Sequence, residues 1–312
     1  MKKFISTLLL LAVMILAACS SGDDASDKEK VIEAFENTLE ATSYNSTSDI
    51  QLNLEGNFND PMVDPYIQMF NDMEIRFDGI YDKDAGKQEG TFHFTGSMAP
   101  MTINLNIPFL QDMESEKVYV RTDSLVENFG MMFGMTDELS GKLLEIDLAE
   151  LEQQAGTTTE QMDPEELAQK AQQVVVDVLN EKSEDDFSEE DGVYTVQLTR
   201  EDFVSLLEKS GDEFDETISE EELNQIQSDL DEMAEQMEVH QFEVQVTLDG
   251  DYIENQTFVA DVEVTEGEET FRFGVTLDST YNSINEDVEF SIDPESEEII
   301  TLDELNAMMY GF

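Results

Sequence analysis

Few side chains in this 312-residue chain are of a type and spacing that could do chemistry. It has one cysteine, Cys19, and two histidines, His93 and His240. Neither histidine has a companion His or Cys at metal-ligand spacing, so no metal centre is expected. A single cysteine excludes an internal disulfide framework and a cysteine-rich metal site. Carboxylates are abundant, with 74 Asp and Glu against 15 Lys and Arg, a formal charge of −59. At that density acidic pairs arise by accident, so a pair is no signal of acid–base catalysis. A solvated acidic surface is the simpler reading. Asp82-Lys83-Asp84-Ala85-Gly86 through Glu89 has the composition of a calcium loop. An EF-hand needs Gly at the sixth position between helices, whereas here it is fifth between strand-like runs, so a hairpin turn is expected. There is no Gly-x-Ser-x-Gly elbow and no phosphate-cradling glycine loop. The residues give no support for an enzyme and imply no cofactor.

The same charge excludes classes of partner. Nucleic acid requires clustered Lys and Arg, and docking on anionic lipid requires a basic face. Hydrophobic residues nonetheless make up 40% of the chain, which is the share of an ordinary folded domain.

Cys19 stands at a defined place. Lys2 and Lys3 precede an apolar run from Phe4 to Leu16, then Leu16-Ala17-Ala18-Cys19 and the polar Ser20-Ser21-Gly22-Asp23-Asp24. This is the layout of a secretory signal peptide, too short to span a membrane. Leu16, Ala17, Ala18 and Cys19 resemble the lipobox of bacterial lipoproteins. That resemblance implies cleavage after Ala18 and diacylglyceryl attachment to the Cys19 thiol. The mature chain would carry 13 basic and 74 acidic side chains, a formal −61. More than one acyl chain is needed for stable anchoring, and a doubly or triply acylated cysteine supplies them. The expected organisation is a signal peptide over 1–18, a lipidated cysteine and acidic tether over 19–30, and one domain over 31–312.

The elements of that domain follow from periodicity. Apolar residues alternate with polar ones at Ile50–Leu54, Met73–Phe77, Phe92–Phe94, Met101–Ile107, Val118–Val120 and Leu144–Leu148. The pattern resumes at Tyr194–Leu198, Phe242–Leu248, Phe258–Val264, Phe271–Leu277 and Val288–Ile292. Period two predicts about eleven strands with one buried face, and one-sided burial predicts antiparallel pairing. Turns are expected at 82–86, 249–251 and 266–268. Helices are predicted from apolar stripes at Val31, Phe35 and Leu39, and at Leu167, Ala171, Val174, Val178 and Leu179 behind Asp163-Pro164. Another stripe runs Leu223, Ile226, Leu230, Met233 and Met237, and Thr199 and Thr301 are expected to cap two further helices. The fold class is therefore α+β, a large antiparallel sheet whose apolar face curls around the helices.

An acylated cysteine, a tether, a first helix and a long antiparallel sheet interrupted by helices are similar to the LolA/LolB-like and LppX/LprG-like lipoproteins. The segments Glu116-Lys117-Val118-Tyr119-Val120-Arg121-Thr122 and Gly141-Lys142-Leu143-Leu144-Glu145-Ile146-Asp147 resemble those of Gram-positive lipoproteins placed near that group. The resemblance implies an open half-barrel with helices covering its concave apolar face, and a cavity there for acyl chains. The helical insert between Asp163 and Met237 is larger than simple members carry. Candidate cavity residues are Phe77, Phe94, Ile103, Leu105, Phe242, Val244, Phe273 and Val275. Candidate lid residues are Phe129, Met132 and Phe133, among methionines that suit varied apolar ligands. Apolar helix faces are more often core, so core filling is the favoured reading of the lid residues, and packing against the helices is the alternative for the cavity residues. The expectation is a monomer on the extracytoplasmic face of a Gram-positive cell membrane that binds or carries a lipid. The alternative is a filled-core structural or sensory lipoprotein acting through protein contacts. The third and weakest reading is an enzyme or regulator of envelope polymers that uses surface carboxylates.

Overall fold

The structure, a computed structural model, describes residues 25–56, 64–98, 101–133, 137–150, 164–202, 205–206, 209, 237–266 and 269–310. The lipobox Leu16–Cys19, the stripe from Leu223 to Met233 and the turn at Gly267 lie outside the described residues.

Among the described residues the chain is α+β, with one open, mixed sheet of twelve strands. Its first half is a meander: β1 (Ser43–Gly56), β2 (Glu74–Asp82), β3 (Lys87–Met98), β4 (Met101–Asp112), β5 (Lys117–Arg121) and β6 (Leu143–Asp147). The second half is β7 (Phe187–Glu190), β8 (Val193–Gln197), β9 (Met237–Asp249), β10 (Tyr252–Glu266) and β11 (Glu269–Asn282). β1 pairs with β11, so the two halves join at the centre. β12 (Ile299–Thr301) then adds to the far edge of β6 in parallel, against the expectation of a wholly antiparallel sheet. The described helices with defined bounds are α1 (Asp27–Leu39), α2 (Asp64–Asn71), α3 (Asp123–Phe133), α4 (Pro164–Glu181) and α5 (Leu302–Tyr310), and further helical residues follow Thr199.

Local chemistry explains the boundaries. Ser26 and Glu29 form a reciprocal capping box that starts α1 at Asp27. Pro164 opens α4, where its missing N–H costs nothing. At the other end of α4, Lys28 Nζ donates to Asn180 O (2.8 Å) and Lys182 O (2.6 Å), placing a cation on the negative helix terminus. Thr199 with Asp202, and Thr301 with Glu304, exchange the expected capping bonds. Residues 83–86 are the expected turn, with Ala85 N donating to Asp82 Oδ1 (2.9 Å) and Gly86 at φ +60°. Gly250, at φ +62°, turns β9 into β10.

The cores lie at the two ends of the sheet. Val31, Ala34 and Phe35 of α1 and Val176 and Leu179 of α4 pack with Phe187, Val196, Phe242, Val244, Val246 and Ala260. At the other end Leu139, Leu144 and Ile300 pack with Val120, Val126, Ile146 and Leu305. A third cluster, Leu110, Tyr119, Leu143 and Ile292, with Phe290 and Ile299, was not foreseen. Leu110 and Tyr119 are cross-strand partners in the phase opposite to Phe109 and Val120, so this cluster lies on the other face.

Its cover is the segment predicted as the last strand. Val288, Phe290 and Ile292 form no ladder. Residues 283–298 instead leave the central β11 and reach β12 at the far edge, crossing that other face. Glu89, 6% exposed, pins the crossing: its carboxylate accepts Ser291 N (2.7 Å), Ile292 N (2.9 Å) and Ser291 Oγ (2.5 Å). Arg121 binds Glu297 through both guanidinium nitrogens (2.6 and 2.8 Å). Alternation there reflects two side chains pressed into a sheet. Met237, read as helical, begins β9 opposite Val264 and is buried; strand pairing overrides the helical spacing.

Candidate ligand-binding surface

Cross-strand partners point to one face, so the register places every described candidate cavity residue. One row runs Val244, Phe258, Leu277, Ile50, Ile75, Phe94, Leu105. Phe242, Ala260, Val275 and Leu52 make a second row. Phe273 pairs with Leu54, Phe77 with Phe92, and Ile103 with Gly96. All eight candidates therefore share one face of the sheet.

They do not share one environment. Phe242 and Val244 are 2% and 3% exposed within the α1–α4 core. The other six are only half-buried, and their neighbours Phe92 and Phe271 are 46% and 36% exposed. Between the two packed ends, β1–β4 and β11 thus present apolar side chains that are incompletely covered. Of the candidate lid, Phe129 is half-buried on α3; the side chains of Met132 and Phe133 lie outside the described residues.

Glycines shape the floor. Gly79 pairs with Gly90 in the apolar phase of β2 and β3. A Cβ on Gly90 would lie 2.7 Å from both Phe77 and Phe109, and one on Gly79 2.9 Å from Phe77. The Phe77 and Phe109 rings, stacked at 29° and 6.2 Å, lie down over these positions. A polar stripe borders them. Ser46 pairs with Gly79, and Ser48 with Phe77. Ser48 and the buried Ser279 share a hydrogen bond of 2.8 Å. Beyond it Tyr44 meets Tyr81 and Tyr281 at 5.3 and 5.8 Å. Burial raises the Tyr44 hydroxyl and pushes Tyr281 up to about 12.

The opposite face is charged and internally paired. Burial pulls Asp78 upward, but the Thr47 hydroxyl, Arg76 and His93 outweigh it and hold the carboxyl below its usual range. Thr47 Oγ1 donates at 2.7 Å, and His93 Nε2 lies 2.9 Å away. The Arg272 fork lowers Asp261 likewise, with Nε to Oδ1 at 2.7 Å. His240, which strict alternation back from Phe242 would put on the apolar face, lies in the irregular step of β9 between Val239 and Gln241. The extra residue turns it toward Glu238 and Glu263, each 3.8 Å away. A pocket of about 440 Å³ opens on this face beneath residues 287–289, lined by Asn45, Thr47, Asp78, Glu89 and Thr91. Another of about 1100 Å³ lies beside α1, at Lys28, Ile32, Tyr194 and Leu248. None of the eight candidate residues lines either pocket. Among the described residues no group of His, Cys, Asp or Glu could hold a metal ion, and no helix is long and apolar enough to cross a membrane.

No protein-family model matches the chain, and no curated protein aligns with it.

Sequence reasoning omitted Ile50, Leu52, Leu54, Ile75, Phe92, Phe109 and Phe271 from the surface, although they occupy the same phase. It also omitted Gly79 and Gly90. Their signal was a glycine standing where the alternation of β2 and β3 calls for a large apolar side chain.

Proposed function

We propose that the protein is a lipoprotein, anchored through acylated Cys19, whose folded part binds or carries a lipid outside the cytoplasmic membrane. In this reading the sheet curls into a half-barrel and its helices close over the apolar face. The observation that carries it is the half-buried apolar stretch on β1–β4 and β11, between two fully packed ends. A contiguous apolar surface of this kind marks a ligand or interaction site. Binding is non-catalytic: acyl chains leave water for Phe77, Phe94, Ile103, Leu105, Phe273 and Val275. At about 25 cal/mol per Å², a few hundred Å² of acyl surface suffices for micromolar affinity after association costs. The leader and the Leu16–Cys19 box support the anchor, and the resemblance to half-barrel lipoproteins supports the ligand class.

The filled-core alternative has one observation in its favour, the burial of Phe242 and Val244 beneath α1 and α4. Two measurements decide. Membrane fractionation should find the chain with the membrane, and Cys19→Ala should move it to the soluble fraction. Native mass spectrometry of the Cys19→Ala protein, purified from its own host without detergent, should show a stoichiometric lipid. A clean apo mass, with no uptake of added lipid, would transfer the assignment to the interaction module.

A further inference from the structure

We infer that the lipid held on this face is uncharged, and that anionic phospholipids and fatty acids are excluded. The inference rests on the carrier reading above and specifies its ligand class. Across β1, β2, β3, β4 and β11, the described side chains on the apolar face are aliphatic or aromatic, or are Gly, Ser, Gln or Tyr, and none carries a charge. In a chain that is 29% charged, this lack of charge runs along β1–β4 and along β11 from Phe271 onward; Glu269, the first residue of β11, is in the same phase at the strand's end. On the same strands the other face carries Asp49, Arg76, Asp78, Glu89, His93, Arg272 and Asp278. Arg76 is there held by Asp78, and Arg272 by Asp261. Among the described side chains of these strands, no cation on the apolar face meets a phosphate or carboxylate.

An anionic head would therefore leave water without a counter-charge, at a cost far above that of a hydroxyl or an ester. It would also enter the field of a protein whose formal charge is −59. What the face offers a polar head is the neutral stripe of Ser46, Ser48 and Ser279 beside Tyr44 and Tyr81. These groups suit hydroxyl and ester oxygens. A diacylglycerol-like lipid, two acyl chains with an uncharged hydroxylated head, matches both parts of the surface.

The test uses the full acylated chain in zwitterionic vesicles doped with photoactivatable diacylglycerol or photoactivatable phosphatidylglycerol of identical acyl chains. Crosslinked peptides are mapped by mass spectrometry. The expected result is labelling within β2–β4 by diacylglycerol at least about fivefold above phosphatidylglycerol, the ratio one partly exposed charge commands. Phe92 is exposed enough to be replaced without emptying a core. Phe92→Lys should shift the ratio about fivefold toward the anionic probe, whereas Phe92→Gln should not. Equal labelling, or a preference for phosphatidylglycerol, overturns the uncharged assignment and leaves the carrier reading standing. No labelling of β2–β4 by either probe overturns the carrier reading itself.

Discussion

Gly90 shows most directly how single residues shape the apolar face. Its missing side chain lets Phe77 and Phe109 lie against the sheet. Gly90→Val would lift both rings, an overpacking that costs about 1–3 kcal/mol. The expected outcome is a melting temperature several degrees lower, at about 2–4 °C per kcal/mol for a chain of this order, read by calorimetry. An unchanged melting temperature would show that the rings move freely and that the floor is not fixed. Asp78 and Asp261 on the other face, and Asp123 at the start of α3, where Ser140 and Gly141 donate to it, are all held below their ordinary carboxyl range. A carboxyl lowered in the folded state contributes stability above its unfolded value near 4, and that stability is lost as pH falls through the folded value. Stability should therefore decline on acidification below about pH 4, and Asp261→Asn should flatten that decline. Denaturant titrations at stepped pH measure both. An identical acid limb in the variant would remove Asp261 from the account.

At the scale of elements, two asparagines do the work of missing strands. β1 outruns β2 beyond Ile50, and Asn71 of α2 bonds both Leu54 N (2.6 Å) and Leu54 O (2.9 Å). β4 outruns β5, and Asn128 of α3 bonds Asn104 N (3.1 Å) and O (2.8 Å), while Ser124 takes Asn106 N (2.8 Å). The next residue in that phase is Pro108, which has no N–H to satisfy. These helices blunt edges that would otherwise template pairing. Asn128→Ala should cost about 0.5–1.5 kcal/mol and speed hydrogen exchange at the Asn104 amide in particular. Uniformly faster exchange throughout the sheet would argue against a local edge role. None of this is visible in periodicity, because it depends on which strand ends first. By contrast, the third core cluster left a trace. Alternation breaks at Phe109-Leu110, Val118-Tyr119-Val120 and Leu143-Leu144, and two-sided apolar runs mean that both faces are covered.

For the whole molecule, the dominant fact is its charge. At −59 the compact state repels itself, and the Debye length falls to about 3 Å at 1 M salt. The melting temperature should rise from low salt to molar salt. A flat response would mean that the carboxylates are spaced or paired well enough to cancel the strain. The architecture divides the load. Both ends of the sheet are packed, the crossing of residues 283–298 covers part of the charged face, and the centre of the apolar face is only half-buried.

The sequence by itself determined the class of fold, most of the strands, which phase of each is apolar, and the caps of the helices after Thr199 and Thr301, whereas the Ser26–Glu29 cap of α1 lies within the stretch expected as a tether. These are properties of neighbours in the chain, and periods of 2 and 3.6 report them directly. It also marked Cys19 as the one residue with a defined chemical expectation. Only the tertiary structure decided that Val288–Ile292 crosses a face instead of joining it, because a buried Glu89 some 200 residues away holds its backbone. It alone showed the parallel return of β12, and the one-residue step in β9 that reverses His240. It also separated Phe242 and Val244, sealed under helices, from Phe77, Phe94 and Ile103, which are not. β9 shares its alternation with β2, β3 and β4; what differs is that α1 and α4 pack over its apolar residues, and that depends on contacts between residues far apart in the chain.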